Sequence, residues 1–265
     1  MKKILLIGAG GGMGSACARL LMKNGDCVFG LDRFGAVMPE GVRPFCADVS
    51  DAKTVTDAFD GIRAETDTLD AIVYAAGVYE ADSLVEIDEE RMRRIFEINV
   101  FGAYRTVKTF LPLLSEDARA VIVTSELANL DPLPFTGLYG ITKSTLDRYA
   151  FSLAMELQLL GIRVSVIRPG AVETPLLDGS VKSIDAFTER TTHYPDVAAK
   201  FLRVTNAVEA KAVAPEKVAE KICRILRCRR PRFAYTLNRN PLLLLYGILP
   251  KRLKLFAIRS YLKSR

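Results

Sequence analysis

The residues from which metal sites and disulfide frameworks are built are scarce in this chain. Histidine occurs once, at His193, and no group of histidine, cysteine and carboxylate residues has the spacing of metal ligands, so we expect no bound metal. The five cysteines are odd in number and form no Cys-x-x-Cys pair; they are Cys17, Cys27, Cys46, Cys223 and Cys228. This usage is typical of unpaired thiols that pack as small apolar side chains in a reducing compartment.

Long hydrophobic runs are missing as well. The N-terminal stretch MKKILLIGAGG meets its first glycine after five apolar residues, whereas a signal peptide has roughly 7–15 of them. The longest later run, residues 242–249, contains Tyr246 and Gly247 and falls far short of the roughly 20 residues that span a bilayer. We therefore expect a cytoplasmic protein without a targeting or membrane-spanning segment.

Acidic residues are absent from the C-terminal part of the chain. From Lys221 to Arg265 the sequence has 13 lysines and arginines but no aspartate or glutamate. Residues 1–220 hold the other 24 basic and all 31 acidic side chains, a net charge of −7, so the overall charge of +6 arises from the C-terminal part alone. An acidic body without a nucleic-acid-binding motif argues against a DNA or RNA partner.

Short apolar segments alternate with helical patterns along most of the chain. We predict strands over residues 2–8, 26–32, 43–48, 69–77, 118–125 and 163–172, and helices from the first glycine loop to residue 24 and over 51–64, 88–113, 137–161, 183–205 and 215–228. This alternation indicates a parallel sheet covered on both faces, a doubly wound α/β fold of the Rossmann type in a single domain. We assign residues 1–239 to this domain, with a substrate lid near 180–210, and residues 240–265 to a basic amphipathic tail.

A glycine-rich loop follows the first predicted strand. Gly8, Gly12 and Gly14 have the spacing G-x-x-x-G-x-G, whereas the common fingerprint G-x-G-x-x-G fails because Met13 occupies its last position. Glycines at a strand–loop–helix junction permit a tight turn and let backbone N–H groups approach a pyrophosphate at the positive end of the helix. The loop therefore predicts a dinucleotide site.

Asp32 ends the second predicted strand and bears on the choice of cofactor. A carboxylate there accepts hydrogen bonds from the ribose hydroxyls of adenosine and repels a 2′-phosphate, which favours NAD over NADP. Arg33 follows directly and could bind that phosphate instead, so NADP stays an alternative.

Tyr139 and Lys143 lie four residues apart in a predicted helix, an arrangement that places both side chains on one helical face, roughly 5–6 Å apart at Cβ. A cation beside a phenol favours the phenolate, so we expect the pKa of Tyr139 to lie below its ordinary value of about 10. A phenol with an accessible pKa is a general acid and base near neutral pH.

The glycine loop, the Tyr-x-x-x-Lys pair and their separation together resemble the classical branch of the short-chain dehydrogenase/reductase family. The resemblance covers residues 1–178 and, more weakly, 179–235. Further matches fall in the family's order, namely Asp48-Val49, Ala75-Ala76-Gly77, Asn99, Ser125 and the segment from Pro169 to Thr174. Two departures are Ile7, which replaces a threonine, and Tyr74, which replaces a structural asparagine and so concerns the packing of the fourth strand.

The resemblance implies a role for each site residue. Tyr139 would exchange a proton with the substrate oxygen, Lys143 would lower its pKa and hold the nicotinamide ribose, Ser125 would orient the substrate oxygen, and Asn99 would anchor a relay water. The family's cofactor contacts map onto Gly8, Gly12, Met13, Gly14, Asp32, Asp48, Val49, Ala75, Ala76, Gly77, Tyr139, Lys143, Pro169, Gly170, Val172 and Thr174. The expected activity is NAD(P)-dependent interconversion of an alcohol and its ketone or aldehyde.

The tail interleaves leucine, isoleucine, phenylalanine and tyrosine with lysine and arginine. Such a segment is able to lie on an anionic membrane, to cover the substrate pocket, to contact another subunit of a homo-oligomer, or to present a solvated basic face. The tail and the segments LPFTGLYGITKSTLD and IRPGAVETPLL look most like the hydroxysteroid and retinol dehydrogenases, which implies a lipophilic, hydroxysteroid-like substrate. The alternatives are a membrane-associated lipid or 3-oxoacyl reductase and a non-catalytic nicotinamide-binding regulator. His193 is expected at the surface of the lid.

Overall fold

Seven parallel strands form one sheet in this protein. The computed structural model describes residues 1–209 and 211–263, and for residues 204–209 it describes the backbone alone. The strands are β1 Lys3–Ile7, β2 Cys27–Asp32, β3 Arg43–Cys46, β4 Leu69–Tyr74, β5 Leu114–Val123, β6 Arg163–Pro169 and β7 Ala234–Leu237. Their order across the sheet is β3-β2-β1-β4-β5-β6-β7. The order reverses between β1 and β4, which confirms the predicted doubly wound fold and marks the carboxyl ends of these strands as the ligand-binding edge.

Helices cover both faces of the sheet. They are α1 Gly12–Lys23, α2 Ala52–Glu65, α3 Glu89–Phe96, α4 Gly102–Phe110, α5 Gly137–Leu157, α6 Pro175–Arg190, α7 Pro195–Glu209, α8 Pro215–Arg227, α9 Pro241–Ile248 and α10 Lys251–Lys263. Alternate residues of β1 point into two separate cores: Leu5 packs on the side of α2, α4 and α5, and Leu6 on the side of α1 and α8. Residues 4–7 of β1 are buried on both faces, which is why they read as an unbroken apolar run.

The helix predicted over residues 88–113 is interrupted by one π-helical turn, Glu97–Phe101. Asp88 caps its N-terminus, since its carboxylate accepts a hydrogen bond from the Glu90 N–H at 2.7 Å. The phenol of Tyr74, which is fully buried, donates to the carbonyl oxygen of Ile98 inside the π turn at 2.7 Å. Tyr74 therefore ties β4 to this turn and fills the place of the expected asparagine.

Three elements differ from the sequence predictions. Strand β7 was not predicted, because a four-residue edge strand that is only half-buried lacks a long apolar signal. The helix predicted over residues 183–205 is two helices, α6 and α7, and the second begins at Pro195, a residue that favours the first turn of a helix. The tail also contains two helices, α9 and α10, because Pro250 disfavours a helical conformation at Leu249. Among the residues described, no helix combines the length and the apolar character needed to cross a bilayer.

Candidate active site

The glycine loop joins the carboxyl end of β1 to the N-terminus of α1. A Cβ atom on Gly14 would lie 1.9 Å from the carbonyl oxygen of Gly8, so the turn is closed only because residue 14 has no side chain. No side chain caps the first turn of α1, which leaves its N–H groups facing the loop. The loop lines a cleft of about 660 Å³. A glycine cradle at a helix N-terminus fits the pyrophosphate of a dinucleotide.

Carboxylates from two loops line the same cleft. Asp32 accepts a hydrogen bond from the Gly10 N–H at 2.8 Å, which fixes it at the carboxyl end of β2. Asp48 accepts hydrogen bonds from the hydroxyl and the N–H of Ser50, and mainly the hydroxyl bond holds the pKa of Asp48 below its ordinary value. Arg33 and Arg94 line the cleft too, and sequence reasoning had missed Arg94 because only the fold brings α3 to this edge.

A second cavity, of about 350 Å³, adjoins the cleft and shares Met13, Ala75, Gly77, Thr174 and Leu176 with it. Every residue predicted to contact the cofactor lines the cleft, the second cavity or both. Those in the cleft alone are Gly8, Gly12, Gly14, Asp32, Asp48, Val49 and Ala76, and those in the second cavity alone are Tyr139, Lys143, Pro169, Gly170 and Val172. The two spaces together follow the carboxyl edge from β2 to β6.

Ser125, Tyr139 and Lys143 meet at the floor of the second cavity. Ser125 follows β5, and its hydroxyl accepts a hydrogen bond from the Leu127 N–H at 3.2 Å. The same hydroxyl lies close enough to the phenol of Tyr139 to lower its pKa. Lys143 lies one helical turn further along α5, with its Nζ 5.7 Å from the centroid of the Tyr139 ring and 3.4 Å from the carbonyl oxygen of Val123, to which it donates. Both side chains of the pair are at least nine-tenths buried.

Burial changes the proton affinities of this pair in a direction that the sequence prediction missed. Burial raises the pKa of Tyr139 to about 12, and the nearby Ser125 hydroxyl offsets only part of that increase. Burial also lowers the pKa of Lys143 to about 8. The expected lowering of the Tyr139 pKa by the lysine is therefore wrong for this structure, because desolvation opposes both charges. Tyr139 presents a protonated phenol at neutral pH.

Asn99 lies in the π turn and lines neither space. Its side chain is fully buried, accepts from the Val78 N–H at 2.9 Å, and donates to the Val78 carbonyl at 2.9 Å and to the Thr142 hydroxyl at 3.0 Å. These bonds join the loop after β4 to α5 beside Tyr139. The role of Asn99 in anchoring a relay water stays a prediction.

The model of the family described as "short chain dehydrogenase" matches residues 2–184 of this chain. The chain belongs to the short-chain dehydrogenase/reductase family. It is an NAD(P)-dependent ketoreductase or alcohol dehydrogenase, as the resemblance implied.

Several relatives and several solved structures are similar to this dehydrogenase over most of its length. The 3-ketodihydrosphingosine reductase of Bacteroides thetaiotaomicron is 27% identical over 87% of this chain and 85% of its own. A short-chain dehydrogenase of Burkholderia cenocepacia in complex with NADP has a TM-score of 0.74 at 18% identity, over 100% of this chain and 98% of its own. One of Burkholderia phymatum in complex with NAD has a TM-score of 0.73 at 22% identity, over 88% of each chain. At such identities the solved structures establish the fold.

The second cavity of this short-chain dehydrogenase is lined in part by its tail. Leu242, Leu243 and Tyr246 of α9 line it together with Ser125 and with Phe201 of α7. A tail that covers the bound substrate, one of the positions that the sequence left open, stays a prediction. Sequence reasoning missed these lining residues because no local pattern states which distant helix covers a pocket.

Ion pairs and aromatic contacts hold the α6–α7 segment and the tail in place. Lys254 of α10 is 6% exposed and donates to a carboxylate oxygen of Asp131 at 2.6 Å and to the Gly247 carbonyl at 2.7 Å. Leu262 joins an apolar cluster in which Phe135 contacts aromatic rings of the α6–α7 segment. The contacting rings are Phe187, Tyr194 and Phe201, at 4.7–5.3 Å between centroids.

The turn between α6 and α7 is anchored by one carboxylate. Glu86 accepts hydrogen bonds from the Thr191 and Thr192 hydroxyls and from the N–H groups of Thr192 and His193, at 2.7–3.0 Å. Desolvation raises the pKa of Glu86, but these four hydrogen bonds outweigh it and bring the pKa to about 2. The imidazole of His193 is at the surface, as expected.

Proposed function

We propose that this dehydrogenase interconverts a lipophilic alcohol and its carbonyl compound, with Tyr139 exchanging the proton. One observation carries the proposal: the hydroxyls of Ser125 and Tyr139 line the same cavity, whose other walls are largely apolar. A cavity of this composition suits a substrate with one oxygen to polarise and an apolar body to bury.

Each residue of the floor then has a distinct task. In reduction, the Tyr139 phenol donates its proton to the substrate oxygen while the adjacent carbon accepts a hydride, and the Ser125 hydroxyl orients that oxygen by a hydrogen bond. Bound nicotinamide supplies the hydride in this direction and accepts it in oxidation. Lys143, as an ammonium, favours the tyrosinate that proton transfer leaves behind.

We propose NAD as the preferred cofactor. Asp32 supports this preference, since its carboxylate at the end of β2 faces the cleft and repels a 2′-phosphate. Arg33 and Arg94 supply the opposite charge at the same end, and they are the residues through which NADP would bind.

A lipid ketone is the substrate class that we favour. The relative that covers 87% of this chain is named for the reduction of 3-ketodihydrosphingosine, a long-chain lipid ketone. The apolar wall formed by Leu242 and Leu243 gives such a chain a surface to contact. A hydroxysteroid-like ketone would fit the same surface and remains the sequence-based alternative.

The proposal is tested with purified protein and a panel of carbonyl compounds, each assayed with NADH and with NADPH. The panel contains long-chain ketones, 3-oxoacyl thioesters, steroid ketones, retinal and sugar-derived ketones. We expect oxidation of NADH, faster than of NADPH, with the long-chain or steroid compounds. Turnover of the sugar-derived compounds alone would contradict the lipophilic assignment, and binding of NADH without turnover of any compound would favour the regulator alternative.

We also propose that the outer face of the tail contacts an anionic membrane. Leu245, Ile248, Leu255 and Phe256 are each at least 60% exposed, and they lie in the acid-free basic segment that begins at Lys221. Apolar side chains among lysines and arginines suit an interface of anionic lipids. An enzyme docked in this way would take a lipid substrate beside the helix that lines its cavity.

The membrane contact is tested by co-sedimentation with vesicles of neutral lipid and with vesicles that contain phosphatidylglycerol. We expect salt-sensitive binding to the anionic vesicles, and weaker binding of a Phe256→Glu variant of the full chain. No binding to either kind of vesicle would contradict the contact. A Phe256→Glu variant that instead lowers the oligomeric state, measured by light scattering, would assign this face to a second copy of the chain.

A further inference from the structure

Glu126 places a carboxylate inside the substrate cavity, directly after Ser125 in the chain. It begins the short helical turn Glu126–Asn129 at the end of β5, lines the cavity, and is 8% exposed. The surrounding wall is mostly apolar and includes Leu127, Leu177 and Leu243. Nothing in the proposed proton transfer uses this carboxylate.

Only one of the two carboxylate oxygens has a hydrogen-bond donor among the residues described. Oε2 accepts from the Asn240 N–H at 2.8 Å. Oε1 lies against Gly170, where a Cβ atom would come within 2.9 Å of it, so the absence of a side chain at Gly170 makes room for this oxygen. No donor to Oε1 is found in the described part of the chain.

The carboxylate also lacks an ion-pair partner in the described structure. Burial raises the pKa of Glu126, while the Asn240 hydrogen bond and the positive charge of Arg239 lower it. Arg239 is exposed and makes no salt bridge with Glu126 among the residues described. A carboxylate oxygen without a donor in a mostly apolar cavity is an acceptor that a cationic hydrogen-bond donor on a ligand would satisfy.

We propose that Glu126 selects substrates that carry a protonated amine on a carbon next to the reacting one, with Oε1 accepting a hydrogen bond from the ammonium group. The inference rests on the proposed function, because it takes the reacting carbonyl to be held by Ser125 and Tyr139. Both side chains line one cavity, so a substrate whose oxygen is held by Ser125 is able to present an amine to Glu126 within the same space.

The rest of the cavity agrees with such a substrate. When the ammonium group of the substrate contacts Glu126, the apolar part of the substrate is left to contact the α9 residues Leu242, Leu243 and Tyr246. A hydrogen bond to an ion is stronger than one between neutral groups. We therefore expect an amino ketone to exceed the same ketone without the amine by about 10- to 100-fold in kcat/KM.

A merely structural role for Glu126 would be to hold Asn240 at the start of α9. The substitution Glu126→Gln separates the two roles, because glutamine retains an oxygen that accepts from the Asn240 N–H but carries no charge. Glu173→Gln is the matched control: Glu173 is exposed and does not line the cavity.

The test compares a long-chain ketone that has an amino group next to the carbonyl with the same ketone lacking that group. The wild-type chain should prefer the amino ketone, Glu126→Gln should lose this preference mainly through a higher KM, and Glu173→Gln should keep it. On the plain ketone, Glu173→Gln should match the wild-type chain, and Glu126→Gln should lose less activity than it loses on the amino ketone.

Four outcomes would overturn the inference. A wild-type chain without the preference, or a Glu126→Gln variant that keeps it, overturns the role of Glu126 and leaves the proposed ketone reduction standing. Equal losses on both ketones in Glu126→Gln would assign Glu126 to the support of α9 alone. Failure of every protein to reduce either ketone would overturn the proposed function and this inference together.

Discussion

The cofactor cleft and the substrate cavity adjoin at one edge of the sheet, yet different kinds of contact assemble them. The cleft is built largely from backbone, as where Gly14 approaches the Gly8 carbonyl, and from loops that follow β1 and β2. The cavity is closed by contacts between residues far apart in the chain, such as the Glu126 carboxylate with the Asn240 N–H and Asp131 with Lys254. The first arrangement can be recognised in a short motif, whereas the second depends on where distant helices pack.

The same contrast appears in charge. Asp32 and Asp48 in the cleft are held by hydrogen bonds from nearby backbone or hydroxyl groups. In the substrate half, Lys254 is almost fully buried, and its charge is balanced by a residue 123 positions away. A basic tail that reads as solvated therefore contributes one of its cations to the interior. We expect substitutions in the cleft to change cofactor binding and substitutions in the cavity to change substrate binding.

The largest expected effect comes from Tyr139, where the two halves meet. Tyr139→Phe should lower kcat by about 10²- to 10⁴-fold, since it removes the proposed proton donor, while the Kd for NADH stays close to wild type. Turnover and NADH fluorescence titration measure the two quantities. Tyr149→Phe, on the same helix but packed against Tyr104, is the control and should keep its activity. Wild-type turnover in Tyr139→Phe would rule out the assigned role.

The next effect is a difference in pH dependence between the two reaction directions. Burial raises the pKa of Tyr139 to about 12, so the phenol is protonated at neutral pH and suited to reduction. Oxidation needs the phenolate. The kcat/KM for oxidation should therefore rise by about tenfold per pH unit until the pH reaches the pKa of Tyr139 in the enzyme that the alcohol binds. The kcat/KM for reduction should not rise with pH. Parallel profiles for oxidation and reduction would show that another group controls the proton transfer.

The smallest expected effect is confined to the substrate half. Lys254→Met removes the ion pair with Asp131 but keeps most of the apolar stem, so α9 should be held less firmly over the cavity. We expect a several-fold higher KM for the ketone, faster proteolysis after residue 240 and an unchanged Kd for NADH. Arg252→Met, an exposed change on the same helix, should leave all three unchanged. A parallel loss of NADH affinity would contradict the separation of the two halves.

Sequence patterns predicted the sheet, the glycine loop and the position of the Tyr139 pair because each depends on contacts within a few residues. The edge strand β7 was missed since it is short and half-buried. Tyr74 read as a departure from the family, and only its hydrogen bond to Ile98 shows what it does. The pKa of Tyr139 was predicted in the wrong direction because spacing reveals a neighbouring charge but not how much water surrounds it.

By itself, then, the sequence determined the fold class, the family and the residues that line the two adjoining spaces at the carboxyl edge of the sheet. These features follow from periodicity and from glycines in strand–loop–helix order, which are local properties of a chain. The tertiary structure alone decided that α9 lines the cavity, that Lys254 is buried, and that Glu126 and Asn240 meet across 114 positions. Such contacts form when the apolar faces of helices distant in the chain pack against each other. Which faces pack together depends on the free energy of packing in the whole domain.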